Sequence, residues 1–241
     1  MERLLEELAP RLVTVARWQD GWVNLYMRKE NVLEHVRGMI ELFDSILGIC
    51  PTLAASCRVD DVRAMIVLHD LGEVVVGDTP RTTCNGEGAE AYAERKRREQ
   101  EAVLCLITEM LPWDSERFRG LYMRVAHRTH DDVESWLTKL MDIAQGTGFG
   151  ARYVFPIRAP LGVGHERCGD TLAPEYFVRL LDSVAQSLSR RGYMTPVLGL
   201  ELLQAMDATL FRYLKTYRNA ETVDGIRAAF EDTLSACQTA T

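Results

Sequence analysis

The chain has 241 residues, 47% of them hydrophobic, and a formal net charge of -7. That length suits one large domain, or a domain with an extension. A pI of about 5.3 argues against broad nucleic-acid binding, which draws on basic patches and a high pI, while leaving room for a local phosphate pocket.

The N-terminus, Met1 to Glu7, is acidic and amphipathic, unlike a signal peptide. No apolar run approaches the ~18 residues of a bilayer span. The six cysteines, Cys50, Cys57, Cys84, Cys105, Cys168 and Cys237, form no C-x-x-C pair. They read as reduced thiols, and the chain as a cytoplasmic protein with no membrane partner.

In chain order, Val32, Val36, Met39, Ile40, Phe43, Ile46 and Leu47 recur at three- and four-residue steps, one face of a helix that carries His35. From Val62 to Val76 the apolar content is nearly continuous, which predicts one central helix buried on most sides. Glu94 to Leu111 reads as a helix whose Arg95–Arg98 run is a solvated face, stopped by Pro112. Val133, Trp136, Leu137, Leu140, Met141 and Ala144 stripe the helix of Asp142, with Asp131 or Asp132 as its N-cap. A glycine-rich break is expected from Gln145 to Gly150, then an extended piece from Arg152 to Pro156 and a loop from Pro160 to Asp170. Helices around 174–190, 196–218 and 222–237 follow. The predicted fold is all-α: a core over residues 1–150, then a helical extension over 151–241 that packs on the core or at a dimer interface.

His35, His69, Asp70 and Asp142 are the residue types that bind a divalent transition metal. Charged groups inside so apolar a stretch as Leu68–Val76 are costly unless paired or metal-bound. On a continuous helix Glu73 shares a face with His69 and Asp70, and Asp78 follows in a turn. Four inward donors plus separate acidic groups suit metal-assisted hydrolysis, where a carboxylate moves protons beside the metal. His127 and His130 offer two further donors, although a polar helix end facing solvent is the simpler reading. His165-x-x-Cys168 is too sparse for a zinc site.

The order H…HD…D resembles the HD-domain metal-dependent phosphohydrolases. Glu30-Asn31-Val32-Leu33-Glu34-His35 resembles the E-[NS]-V-x-[ED]-H signature of the HD-domain 5′-deoxynucleotidases. His69-Asp70-x-x-Glu73-x-x-x-Gly77-Asp78-x-Pro80 resembles their second segment, and Arg97-Arg98-Glu99 and Lys139-x-x-Asp142 match later positions. The resemblance covers roughly residues 17 to 145. It implies an HD-domain helical bundle in which His35, His69, Asp70 and Asp142 bind one divalent metal, Mn, Co or Fe, with Mg, Cu and Zn as further candidates. It implies Glu73 as the proton-transfer group and Asp78 as a positioning group at the nucleophile. A nucleoside 5′-monophosphate is the implied small-molecule substrate, and a homodimer the implied assembly. Trp22, Arg28 and Lys139 are the candidate substrate contacts. The chain departs from the family in placing Asn24-Leu25-Tyr26-Met27 after Trp22, with arginine only at Arg28, and in its long tail beyond Asp142. Alternatives are an HD phosphohydrolase of nucleoside di- or triphosphates, and an HD-fold di-iron oxygenase using His127 and His130.

Overall fold

The computed structural model describes residues 1–17, 30–77, 89–127, 132–149, 186, 192, 195–215 and 220–236. Over these residues the chain is all-α, with one isolated antiparallel bridge between Ala16 and Asn31. We number the described helices α1 (Glu2–Leu12), α2 (Val32–Ile49), α3 (Pro51–Ser56), α4 (Val59–Leu68), α5 (Leu71–Val76), α6 (Ala89–Met110), α7 (Ser115–His127), α8 (Val133–Phe149), α9 (Pro196–Met206) and α10 (Ala220–Ala236). No helix is long and apolar enough to cross a membrane among these residues.

Helix α2 starts where its sequence dictates. Asn31 accepts a hydrogen bond from the Glu34 amide at 2.9 Å, and the Glu34 carboxylate accepts from the Asn31 amide at 3.2 Å, a reciprocal capping box. Helix α4 is the hub. Val62, Met65, Ile66, Val67 and Leu68 are fully buried, packed among α1, α2, α7 and α8. Each such burial contributes about 1.5–3 kcal/mol.

The single helix expected from Val62 to Val76 is instead two. Helix α4 ends at Leu68, and Asp70, at φ -103° and ψ 14°, starts α5. The first half is buried, whereas the second buries Leu71 and leaves Val75 and Val76 exposed; both are apolar in composition, so the break is invisible to hydropathy. Gly77 closes α5 at φ 78°, a left-handed conformation that glycine adopts without steric cost.

The break expected at Gln145 is also absent. Helix α8 runs on to Phe149, with Gly146, Thr147 and Gly148 buried. Packing of Ile143, Ala144 and Thr147 outweighs a glycine cost of about 1 kcal/mol per residue. The N-terminus of α8 is capped by Asp132, which accepts from the Ser135 amide at 3.2 Å; Asp131 lies outside the described residues. Of helix α7, the sequence pattern anticipates only the polar end at His127.

Helix α9 begins after Thr195, whose side chain accepts from the Leu198 amide, with Pro196 at its first position. It passes into a π-helical turn at Asp207–Phe211 and a short helical end at Arg212–Leu214. It packs on α2 and α3, where Glu201 accepts from the Thr52 amide at 3.0 Å. The expected segments at 152–156 and 160–170, and nearly all of 174–190, lie outside the described residues. Cys50, Cys57 and Cys105 are free thiols; burial pushes Cys50 and Cys57 up to about 11.

Candidate metal centre

Helix α2 delivers His35, the turn between α4 and α5 delivers His69 and Asp70, and α8 delivers Asp142. The break at Asp70 lets adjacent residues aim at one point, which a regular helix would splay by about 100°. His35 Nε2 lies 3.4 Å from Asp142 Oδ1 and 3.6 Å from Asp70 Oδ2, and His69 Nε2 lies 3.1 Å from Asp70 Oδ1. The two imidazoles have centroids 5.4 Å apart. His35, His69 and Asp142 each bring a ligand atom within 4.8 Å of the others, a group able to hold a metal ion.

The tautomers follow from the partners. His69 Nδ1 is 2.7 Å from the Ile66 carbonyl, which can only accept, so Nδ1 carries the proton. His35 Nδ1 is 2.5 Å from Gln145 Oε1. The Gln145 amide is oriented by donating from Nε2 to Glu30 Oε1 at 2.6 Å. Both histidines therefore turn Nε2 toward the carboxylates. His35 Nε2, His69 Nε2 and Asp70 Oδ2 are buried without hydrogen-bond partners, an arrangement that costs energy unless something else fills the point they share. Donors about 2.1 Å from one ion stand roughly 3.0–3.5 Å apart, close to the separations seen. The nitrogen and oxygen donor set fits a divalent transition metal.

Burial opposes ionisation of Asp70 and Asp142. His69 and then Arg17 hold Asp70 well below the usual carboxylate range. Lys139, which donates to Asp142 Oδ2, does the same for Asp142, helped by both histidines. Burial lowers His69, but Asp70 and Asp142 outweigh it and raise its pKa. Arg17 resists its own burial because Asp70, Glu30, Glu73 and Asp142 hold its charge.

The centre opens into a cleft of about 930 Å³, lined by His69, Asp70, Glu73 and Asp142 and, from α6, by Arg95, Lys96 and Gln100. Helix α5 lies close against α6. A Cβ on Gly72 would come within 2.2 Å of Glu99 Oε1, and Glu99 is bonded to Lys96 at 2.8 Å.

A model of the HD domain matches residues 10–142, more than half of the chain. The chain belongs to the HD-domain family. Families of HD domains are generally metal-dependent hydrolases, and in this HD domain His35, His69 and Asp142 form a group able to hold a metal ion, with Asp70 beside both histidines. No curated protein matches the chain.

Of the other sequence-derived candidates, Glu73 lines the HD-domain cleft and Lys139 pairs with Asp142. Asp78, Trp22, Arg28 and His130 lie outside the described residues. His127 lines the cleft 3.3 Å from Gln100. The Arg95–Arg98 run is divided. Arg95, Lys96 and Arg97 line the cleft, and the side chain of Arg98 is 75% exposed. A helix face that begins in solvent turns into the cleft because α6 is pressed against α5. Sequence reasoning missed Arg17, Gln145 and the role of Glu30. Arg17 precedes any periodic segment, and Gln145 stood in what read as a loop.

Proposed function

We propose that this protein is a divalent-metal-dependent phosphohydrolase that removes phosphate from a nucleotide, most directly a (deoxy)ribonucleoside 5′-monophosphate. The observation that carries the reading is the convergence of two imidazoles and two carboxylates, of which His69, Asp70 and Asp142 line a cleft of about 930 Å³. His35, His69, Asp70 and Asp142 would hold the metal, with Mn, Co and Fe the first candidates. When bound, a divalent cation polarises a phosphoryl oxygen and makes water a stronger acid.

The chain's own residues supply the rest. Arg17, a partly buried cation whose charge is held by Asp70, Glu30 and Glu73, offers a guanidinium to a phosphoryl oxygen. Glu73 moves protons from the cleft wall. Lys139 balances Asp142 and faces the same space. Asp78, Trp22 and Arg28 enter as substrate-side groups on the motif resemblance alone, and the homodimer on the same ground.

A second reading, a nucleoside di- or triphosphate, is favoured by Arg95 and Lys96 on the cleft wall. The test is phosphate release from deoxy- and ribonucleoside mono-, di- and triphosphates. Metal-stripped protein would be given Mn²⁺, Co²⁺, Fe²⁺ or Mg²⁺. Metal-restored release from 5′-monophosphates is expected. Release from triphosphates alone would move the substrate, and silence with metal bound would overturn the hydrolase in favour of the oxygenase.

A further inference from the structure

Behind the metal centre, four side chains from separate segments are strung into one polar chain. Arg17 Nη1 donates to Glu30 Oε2 at 3.4 Å, Gln145 Nε2 donates to Glu30 Oε1 at 2.6 Å, and Gln145 Oε1 accepts from His35 Nδ1 at 2.5 Å. Glu30 is 2% exposed and His35 fully buried. Backbone bonds fix the same junction: the Arg17 amide donates to the Glu30 carbonyl at 2.8 Å, and the Val32 amide to the Val15 carbonyl at 3.0 Å. Helix α2 makes room for the crossing with a glycine. A Cβ on Gly38 would sit 3.1 Å from Gln145 Nε2 and 3.2 Å from its Cγ.

We propose that Glu30 and Gln145 are positioning residues that set His35 as a metal ligand and Arg17 as an anion-binding cation in one register. The inference rests on the phosphohydrolase reading for the role of Arg17, but not for that of His35. An amide has one donor end and one acceptor end, so orientation at Glu30 dictates orientation at His35. Because the amide is neutral, it passes on that orientation without adding negative charge beside two carboxylates. Partners of this kind fix the tautomer and the ring of a metal-binding histidine.

Three variants of the full chain test it: Gln145→Met, Glu30→Gln and the double variant Glu30→Gln/Gln145→Glu. Each would be checked for native melting and titrated with Co²⁺ alone after metal stripping, followed by the visible cobalt spectrum. Gln145→Met should weaken Co²⁺ binding by about 10- to 100-fold. The double variant sets an amide donor at position 30 against a carboxylate at position 145 whose other oxygen still accepts from His35 Nδ1, with the total charge unchanged, and should return to within about threefold of wild type. Glu30→Gln should weaken Co²⁺ binding, and also binding of inorganic phosphate to the Co²⁺-loaded protein, each by about tenfold.

Wild-type Co²⁺ affinity in folded Gln145→Met overturns the proposal, as does a double variant as weak as Gln145→Met, which would mark a packing role. Should Gln145→Met not fold, Glu30→Gln decides: wild-type binding of both cobalt and phosphate overturns the relay. A wild-type protein inert toward every nucleotide would sink the phosphohydrolase reading and leave the cobalt comparison intact.

Discussion

At the scale of residues, Glu30-Asn31-Val32-Leu33-Glu34-His35 divides into separate tasks. Asn31 and Glu34 cap α2, and Val32 and Leu33 are buried in the core. Glu30 ties Arg17 to Gln145, and His35 faces the centre. A short motif thus holds its spacing through helix geometry as well as chemistry. His69→Ala and Asp70→Ala should abolish metal binding and turnover together, read by metal analysis and phosphate release. Glu73→Gln should keep the metal and lower kcat by about 10²–10⁴. Full activity in Glu73→Gln would remove the proton-transfer role.

At the scale of elements, the start of α8 is bound to α7 by charge. Arg124 donates to Asp132 at 2.6 and 2.8 Å and to Glu134 at 2.7 Å. Burial pushes Asp132 up, but Arg124 and the Ser135 amide outweigh it, so its folded pKa lies below the ordinary 3.8. The stabilisation is therefore fully present above the unfolded value and lost as pH falls through the folded one. Wild type should lose stability below about pH 4, part of it through Asp132. Asp132→Asn should be less stable at pH 7 by about 1–2 kcal/mol and flatter across that acid range, as denaturant melts would record. An identical acid slope in both proteins would remove Asp132 from the account.

At the scale of the whole molecule, residues from α1 to α10 belong to one buried cluster. Met65 of the hub and Leu202, Met206 and Phe230 of the C-terminal helices are all within it. The division near residue 150 into an HD domain and a helical extension stands as a proposal, and the two parts should unfold together. Leu202→Ala should cost about 2–5 kcal/mol, with one transition by calorimetry shifting as it does for Met65→Ala. A separate early transition in Leu202→Ala would make the extension an independent unit.

The sequence by itself determined the helical class, because three- and four-residue apolar spacing admits little else. It also pointed to His35, His69, Asp70 and Asp142 as candidate donors, because buried His and Asp in apolar segments need a partner. Only the tertiary structure decided where the helices break. The apolar run from Val62 to Val76 hides the turn at Asp70, since Val75 and Val76 read as core by composition although packing leaves them exposed. The glycines after Gln145 look like a loop until neighbouring helices reward their burial. Arg17 and Gln145 were illegible for the same reason. Their partners lie 13 to 115 positions away in the chain, and local periodicity carries no record of distant contacts.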